Sequence, residues 1–335
     1  MLKVTARAHT NIALIKYWGK RDKKLFLPYN SSLSLTLDAF YTDTTVSFID
    51  QKEDVFLLNG ELQSKEETQK ISTFIQRFRD LSSLEKKVKV ESWNHVPTAA
   101  GLASSASAYA ALAMALNELF QLSLSKEELS IYARQGSGSS TRSLFGGFVE
   151  WQKGTKQDGT DSYAVPILAP EECPVGMIFC LINQEKKKIS SREGMNRTVE
   201  TSPFYSGWVE SAATDLVQMK KAIAKKDIPM IGELTEKSAL KMHATTLGAN
   251  PPFTYLEPFS WEVIRKVQEW RQEGHTCYAT MDAGPNVKIL CPKEEISLLQ
   301  QKIKETFPNL ETICSLPGSG AQILSIEKNE KKKGY

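Results

Sequence analysis

Hydrophobic and polar residues alternate along the first half of the chain as half-buried β-strands require. In residues 31–38, SSLSLTLD, the side chains of Leu33, Leu35 and Leu37 fall on one face, which is the period-two pattern of a strand. A continuous apolar run at 175–182 predicts a strand buried on both faces. The other strands predicted in this half cover 2–18, 44–49, 54–60, 86–93 and 144–151.

Apolar residues at helical spacing predict helices among these strands. Ile71, Phe74, Ile75 and Phe78 share one face of a predicted helix over 66–79. Ser125 and Glu128 form a capping-box pattern, which predicts a helix that ends near Arg134. Further helices are predicted over 104–120, 204–225, 229–246, 258–273 and 294–306, and late strands over 275–281, 286–291, 311–316 and 321–326.

This order of elements is neither strict β-α-β alternation nor all-β, so it predicts an α+β protein with two layered domains. The pattern becomes mainly helical after about residue 184. We therefore expect an N-terminal domain over 1–184, a C-terminal domain over 185–327 and a solvated tail over 328–335.

Composition narrows the class of protein. The 335 residues are 41% hydrophobic and 24% charged. The net charge of +3 is too small to indicate a nucleic-acid-binding protein, although it is compatible with a local basic cleft. No stretch reaches the roughly 18 apolar residues of a membrane helix. The five cysteines form no CxxC pair, which favours a reducing compartment over disulfides or zinc. We expect a cytoplasmic protein without a membrane or nucleic-acid partner.

Small side chains crowd the start of the helix predicted at 104–120, in PTAAGLASSASAYAA at 97–111. Free N–H groups at a helix start suit phosphate, and a serine hydroxyl there can help to hold Mg²⁺. An alanine-rich helix packed tightly in the core explains the same composition. The stretch is not a Walker A loop, because it lacks G-x-x-x-x-G-K.

Three further segments offer groups that bind anions. They are NIALIKYWGKRDKK at 11–24, GSGSSTRS at 136–143 and EKKKISSREGM at 185–195, where Ser190, Ser191 and Arg192 suit a helix start. Arg142 has the planar fork that matches a carboxylate or phosphate. Each segment could equally be a solvated loop, and whether Lys16 faces a ligand or the core stays open.

One carboxylate stands among these segments. Asp282, in TMDAGPNVK at 280–288, follows a predicted strand and precedes a turn. It is a candidate catalytic base, although an aspartate before a turn is also common for local hydrogen bonding. The glycine turn PGSGAQI at 317–323 is predicted to be structural, and the four histidines show no metal-binding spacing. Together the segments indicate a ligand with several phosphates and one base.

The motifs resemble those of a known superfamily. PTAAGLASSAS resembles the phosphate loop of the GHMP small-molecule kinases, with Ala99 and Ala103 in place of two glycines. Joined to AHTNIALIKYWGK at 8–20, GSGSSTRS and MDAGPNVK, it resembles the mevalonate diphosphate decarboxylase branch along the whole chain. The resemblance implies a domain like the second domain of ribosomal protein S5, a ferredoxin-like domain and a cleft between them.

The resemblance also implies a reaction and the residues that carry it. The reaction converts ATP and (R)-5-diphosphomevalonate into isopentenyl diphosphate, CO₂, ADP and phosphate with Mg²⁺, in an enzyme that is commonly a homodimer. Asp282 and Arg142 are the implied catalytic residues. Substrate binding falls to Tyr17, Trp18, Gly19, Lys20, Lys70, Ser137, Gly138, Ser139, Ser140, Thr141, Arg142, Ser191 and Arg192. Nucleotide binding falls to Asn94, Gly101, Leu102, Ala103, Ser104, Ser105, Ser107 and Lys187, with Ser105 on Mg²⁺.

Two other functions remain open at this point. A kinase of the same superfamily would stop at a stable 3-phospho product without releasing CO₂. A non-catalytic protein on this fold would bind ATP without forming ADP. Asp282, Arg142 and the alanines of the phosphate loop favour the decarboxylase.

Overall fold

A computed structural model describes residues 2–95, 104–183, 185 and 187–328 of the chain. Its strands are β1 (Leu2–Ile15), β2 (Lys20–Asp22), β3 (Leu27–Pro28), β4 (Ser32–Ile49), β5 (Val55–Leu58), β6 (Glu61–Leu62), β7 (Lys87–His95), β8 (Phe148–Trp151), β9 (Ala164–Leu168), β10 (Val175–Leu181), β11 (Tyr278–Met281), β12 (Val287–Pro292), β13 (Glu311–Ser315) and β14 (Gln322–Lys328). Its α-helices are α1 (Lys65–Ser82), α2 (Ser104–Leu119), α3 (Lys126–Arg134), α4 (Ser140–Ser143), α5 (Ser191–Thr201), α6 (Tyr205–Ala224), α7 (Ile228–Leu247), α8 (Pro258–Gln272) and α9 (Ile296–Thr306).

The first sheet is built on two long strands. Its order is β14-β1-β4-β7-β5-β6, with β8 paired to β4 and β9 to β8. β4 is one strand of 18 residues, whereas the sequence predicts two separate strands at 31–38 and 44–49. The two merge because β1 pairs antiparallel with both: from Lys3 opposite Ser47 to His9 opposite Tyr41 and, after a register shift, from Asn11 opposite Thr36 to Ile15 opposite Leu33.

Helices α1 and α2 cover one face of this sheet. Phe74, Ile75 and Phe78 of α1 are buried, which confirms the apolar face predicted for that helix. Ala110, Ala111, Ala113 and Ala115 of α2 pack in the same core with Val4 and other small side chains of β1. The alanine-rich part of α2 therefore serves close packing, as one of the two interpretations of that stretch predicts.

The second sheet contains four strands in the order β11-β12-β10-β13, all antiparallel. β10 is buried at every position, as predicted, because it lies between β12 and β13. This pairing differs from the predicted boundary at residue 184, which assigns β10 to the first domain. The chain also returns to the first sheet at its end, since β14 pairs with β1.

Two smaller differences from the predicted elements concern α4 and β9. α4 forms within the segment 135–143 that we expect to be a loop, and β9 is not predicted, since its five residues include Pro166. α5 begins at Ser191, directly after its N-cap Ser190, as the predicted helix start requires. The capping box of Ser125 and Glu128 at α3 is also confirmed.

The two sheets share one hydrophobic core. Leucines and isoleucines of β1 and β4 pack with β10 and with α6, and the rings of Phe40 and Phe179 meet at 4.9 Å between centroids. The ends of β1 and β11 consequently lie beside the same junction. Among the residues described, no helix is both long and apolar enough to cross a membrane.

Candidate active site

A cavity of about 320 Å³ opens at the junction of the two sheets. It brings together segments that are far apart in sequence: the end of β1, the start of α2, the loop before α4, the start of α5 and the end of β11. Its lining is formed by Thr10, Asn11, Ile12, Ala13, Lys16, Tyr17, Trp18, Lys20, Phe26, Ser105, Tyr109, Gly136, Ser137, Gly138, Ser139, Arg142, Lys187, Ser191, Arg192, Met195, Met242, Asp282 and Ala283.

Asp282 is held between two buried lysines. The ammonium of Lys16 lies 2.7 Å from Oδ1 and that of Lys288 lies 3.2 Å from Oδ2. Burial raises the pKa of Asp282, but the two ammonium groups outweigh it and hold that pKa below its usual range. The carboxylate is therefore ionised at neutral pH, and because 33% of the side-chain surface is exposed it is also accessible from the cavity.

Lys16 occupies a position that the first sheet and α7 build together. It follows the last residue of β1, and its ammonium also donates to the carbonyl of Ala13 at 2.8 Å. Its backbone N–H donates to Ser238 Oγ on α7, and its carbonyl accepts from Asn30 Nδ2. These contacts answer the question left open by the sequence: Lys16 faces the cavity and Asp282.

Arg142 presents a buried positive charge from α4. Its side chain is 2% exposed, and it donates to Ser32 Oγ at 2.6 Å and to Asn11 Oδ1 at 3.3 Å. Burial lowers the pKa of the guanidinium to about 10, so it stays charged at neutral pH. None of the ion pairs within the described residues includes Arg142. A buried charge without an acidic partner is well suited to an anionic ligand.

A row of serine hydroxyls crosses the cavity near the start of α2. Ser105 Oγ lies 3.2 Å from Ser137 Oγ, which in turn lies 3.2 Å from Ser139 Oγ. The first turn of α2 contributes N–H groups that helix hydrogen bonds leave free. The row therefore offers donors for phosphate oxygens, as the sequence predicts.

Basic side chains gather at another side of the cavity. Lys20 Nζ lies 3.6 Å above the ring of Phe26, and the Arg192 guanidinium lies 6.0 Å from the same ring. Burial, with help from Arg192 and Lys23, lowers the pKa of Lys20 to about 8. Lys187 lies 3.5 Å from the hydroxyl of Ser191, and burial lowers its pKa as well. Positive charge is thus concentrated at this side of the cavity, where a bound anion would offset it.

Aromatic side chains also line the cavity, among them Tyr17, Trp18 and Phe26. The rings of Tyr17 and Trp151 lie 4.8 Å apart, and the buried Tyr17 hydroxyl has no hydrogen-bond partner among the described residues. Gly19 has a φ of +100°, and a Cβ there would lie 2.1 Å from the hydroxyl of Tyr205. That hydroxyl donates to the carbonyl of Trp18 at 2.7 Å and fixes the turn.

Known proteins match the chain along its whole length. Residues 8–164 match the family described as diphosphomevalonate decarboxylase-like N-terminal domain, and residues 177–334 match the mevalonate 5-diphosphate decarboxylase C-terminal domain. The chain belongs to the diphosphomevalonate decarboxylase family. The second match includes most of β10, and it also includes β14, which pairs with β1 in the first sheet.

Individual members of the diphosphomevalonate decarboxylase family are close in sequence and structure. The diphosphomevalonate decarboxylase of Ganoderma lucidum is 40% identical over 92% of this chain and 83% of that protein. The crystal structure of the Staphylococcus aureus mevalonate diphosphate decarboxylase is 48% identical with a TM-score of 0.92, over 97% of this chain and 99% of that chain. A solved structure of MDDEF in complex with MVAPP, AMPPCP and magnesium is 50% identical with a TM-score of 0.90, over 96% and 99%.

Most of the residues predicted from the resemblance to the decarboxylase family lie together in the cavity. Those placed in its lining are Tyr17, Trp18, Lys20, Ser105, Ser137, Gly138, Ser139, Arg142, Lys187, Ser191, Arg192 and Asp282. Gly101, Leu102 and Ala103 and the side chain of Ser104 lie outside the described residues, so their predicted phosphate contacts stay predictions.

Several predicted residues serve other contacts in this structure. The hydroxyls of Ser140 and Thr141 are buried and donate to backbone carbonyls, including that of Gly138, so they stabilise the turn rather than line the cavity. Lys70 is exposed and pairs with Glu66 and Glu67, which its position on the outer face of α1 allows.

Asn94, Ser107 and Gly19 also lie outside the lining. Thr42 links the first two, since its hydroxyl lies 2.9 Å from Asn94 Oδ1 and 2.8 Å from Ser107 Oγ. Gly19 serves the turn against Tyr205 described above. Any contact of these three with a ligand remains a prediction that the cavity lining does not support.

Sequence reasoning missed Lys288, Ser32 and Tyr109. Lys288 interrupts a run of apolar residues in β12 with a single charge, and that interruption is the signal that could have identified it. Ser32 and Tyr109 carry no such signal. They meet the site only because β4 and α2 pack against the segment around Arg142 and Gly136.

Proposed function

We propose that this protein catalyses the ATP-dependent decarboxylation of (R)-5-diphosphomevalonate to isopentenyl diphosphate, with CO₂, ADP and phosphate as the other products. Membership of the diphosphomevalonate decarboxylase family supports the reaction. The observation that carries it is the presence, in one cavity, of an ionised and partly exposed carboxylate on Asp282 and of a buried guanidinium on Arg142 that has no acidic partner among the described residues. One group serves the hydroxyl of the substrate and the other its carboxylate.

The basic side of the cavity binds the diphosphate of the substrate. Lys20 and Arg192 supply charge, and Ser191 supplies a hydroxyl at the start of α5. The buried Tyr17 hydroxyl, unpartnered within the described residues, becomes satisfied when a phosphate oxygen reaches it. A diphosphate bound beside Lys20 keeps the ammonium protonated to higher pH, because a nearby anion raises a lysine pKa.

The serine row binds the phosphates of ATP. Ser105, Ser137 and Ser139 offer hydroxyls beside the N-terminus of α2, and Lys187 supplies a cation from the opposite side. The hydroxyl oxygen of Ser105 also fits Mg²⁺, a hard cation that commonly shares its shell between a few protein oxygens and nucleotide phosphates. When bound, the ion offsets charge on the phosphate oxygens. The related MDDEF structure contains AMPPCP and magnesium.

Phosphorylation of the 3-hydroxyl is the first chemical step. A tertiary hydroxyl is a poor leaving group, so the enzyme converts it into a phosphate. Asp282 orients that hydroxyl and takes its proton, while phosphoryl transfer through a loose transition state depends mainly on alignment and charge stabilisation. Since Lys16 and Lys288 make the carboxylate a weak base, the proton moves late and orientation is the larger contribution.

Elimination completes the reaction. The C3–O bond breaks toward the leaving phosphate, and the electrons of the bond to the carboxyl carbon form the C2–C3 double bond as CO₂ departs. Arg142 orients the carboxylate so that this bond aligns with the leaving phosphate. A tight grip alone would stabilise the bound substrate and oppose the loss of CO₂, so orientation is its useful role.

Product stoichiometry tests the proposal. Purified protein is incubated with ATP, Mg²⁺ and diphosphomevalonate, and ADP and CO₂ are measured together. One CO₂ for each ADP supports the decarboxylase. A stable 3-phospho product with ADP and no CO₂ would establish the kinase instead, and ATP binding without ADP would establish a non-catalytic protein.

We also expect a cytoplasmic homodimer. The five cysteines are free, which agrees with a reducing compartment. Sedimentation analysis of the purified chain checks the assembly, since a mass near that of one 37.5 kDa chain would contradict the dimer. Fractionation of the producing cell checks the compartment.

A further inference from the structure

Lys288 is a charged side chain in an otherwise apolar strand. It is the second residue of β12, lies between its register partners Phe179 on β10 and Thr280 on β11, and is 1% exposed. An ammonium is strongly hydrated, and a fully buried lysine is rare unless it is paired. Its ion-pair partner is Asp282, at 3.2 Å from Oδ2.

The two lysines hold different oxygens and come from different sheets. Lys16 extends from the end of β1 to Oδ1, and Lys288 extends from β12 to Oδ2. A carboxylate held at one oxygen can rotate about its terminal torsion, which is broad and roughly two-fold. With both oxygens held, that rotation is restricted while part of the group stays exposed to the cavity.

We propose that Lys288 is a positioning residue for the phosphorylation step, holding Oδ2 of Asp282 so that the carboxylate stays ionised and correctly turned toward the 3-hydroxyl. The inference rests on the proposed function. It assigns to Lys288 no contact with substrate or nucleotide, since Lys288 is not part of the described cavity lining.

The charges around Asp282 indicate what the loss of Lys288 changes. Lys16 faces the carboxylate from β1, while Arg142 and Lys187 act on it from farther away. His243 lies beside it on α7, but burial, with a contribution from Lys16, lowers the pKa of His243 to about 3 and keeps it neutral. Burial raises the pKa of Asp282, and the nearby ammonium groups oppose that effect. Without the Lys288 ammonium the opposition is weaker, so the pKa of Asp282 rises.

Three variants of one position separate charge from packing. Lys288→Met keeps the apolar stem, Lys288→Gln keeps a hydrogen-bond donor without charge, and Lys288→Arg keeps the charge. Lys220→Met is the matched control, because it removes a lysine paired to the buried Glu150 at 3.0 Å, away from the cavity. For each protein, CO₂ release is measured across pH with both substrates varied, and folding is checked by thermal unfolding.

We expect Lys288→Met and Lys288→Gln to lower kcat about 10- to 100-fold, as misplacement of a reacting group does. KM for both substrates should change by less than about threefold, because no binding contact is lost. The acid limb of the kcat profile should move to higher pH, and Lys288→Arg should recover most of kcat and the wild-type profile. Lys220→Met should retain the wild-type profile.

Other results overturn the inference. A wild-type kcat and pH profile in Lys288→Gln would do so, as would Lys288→Arg being as impaired as Lys288→Met with an unmoved acid limb. If Lys288→Met does not fold, the comparison of Gln with Arg decides alone. Failure of the wild-type protein to release CO₂ is a separate result that rejects the proposed function.

Discussion

Arg142 carries a buried charge without an acidic partner among the described residues, so replacing it should separate the stability of the fold from the binding of the substrate. Burial lowers its pKa to about 10, and this shift corresponds to a cost of about 3 kcal/mol for keeping the guanidinium charged in the folded, ligand-free protein. Hydrogen bonds from a charged group return about 1.5 kcal/mol or more each. The two bonds, to Ser32 and Asn11, therefore roughly offset the cost of burial.

From this balance we expect Arg142→Gln to change the free energy of unfolding of the ligand-free protein by less than about 1.5 kcal/mol. Binding should respond very differently. Removing one member of a buried charge pair costs about 2–5 kcal/mol, so the affinity for diphosphomevalonate should fall at least about 30-fold. CO₂ release should fall with it.

Arg134 is the matched control. It is also fully buried, and burial lowers its pKa to about 10, but its guanidinium donates to the carbonyls of Leu25, Gly159 and Ser162. Arg134→Gln leaves these carbonyls without their donor and should destabilise the fold by about 3 kcal/mol or more. It should leave the response to substrate intact.

Urea unfolding of both variants, with and without diphosphomevalonate, measures the two quantities together. The reasoning is refuted if, without ligand, the free energy of unfolding of Arg142→Gln is more than about 3 kcal/mol below that of the wild type. It is also refuted if that variant retains the full stabilisation by substrate. Either result would make Arg142 a structural residue like Arg134.

Three further predictions concern other parts of the cavity. Asp282→Asn should lose at least about 3–4 kcal/mol of transition-state stabilisation in assays of ADP and CO₂, and near-normal turnover would reject its role. Above pH 8, where Lys20 loses its proton, KM for diphosphomevalonate should rise by up to about tenfold per pH unit, and Lys20→Arg should remove this rise. Ser137→Ala should raise KM for ATP, whereas Ser140→Ala should lower stability by about 1 kcal/mol and leave that KM unchanged, as thermal unfolding and initial rates will show.

Local patterns in the sequence were sufficient to predict most of the elements. The apolar spacing of α1 and the capping box of α3 act within a few residues, so they can be recognised without knowledge of the rest of the fold. The merging of β4 into one strand could not be predicted in this way, because it depends on pairing with β1. The place of β10 in the second sheet could not be predicted for a similar reason: it is decided by its partners β12 and β13.

The same distinction applies to the site. Resemblance to a family assigned Asp282, Arg142 and the serines, because these lie in short motifs. It did not reveal that Ser140 and Thr141 turn their hydroxyls to backbone carbonyls three to seven residues away, since that depends on the turn that α4 makes. Lys288 was missed because its partner Asp282 acts across a strand pair, and only the register of β11 and β12 brings the two together.

The small net charge of the whole chain does not reveal how many positive charges line the cavity. Lys16, Lys20, Arg142, Lys187 and Arg192 line it with Asp282 as the one carboxylate among the described lining residues, whereas the chain as a whole has a net charge of only +3. Such a concentration of buried or half-buried cations opposes folding, and a substrate carrying a diphosphate and a carboxylate reverses that effect. Because binding to the folded state alone adds to its stability, the substrate should hold the two sheets together most firmly when all its anionic groups are in place. The charges that weaken the empty protein are then the ones that align the substrate for reaction.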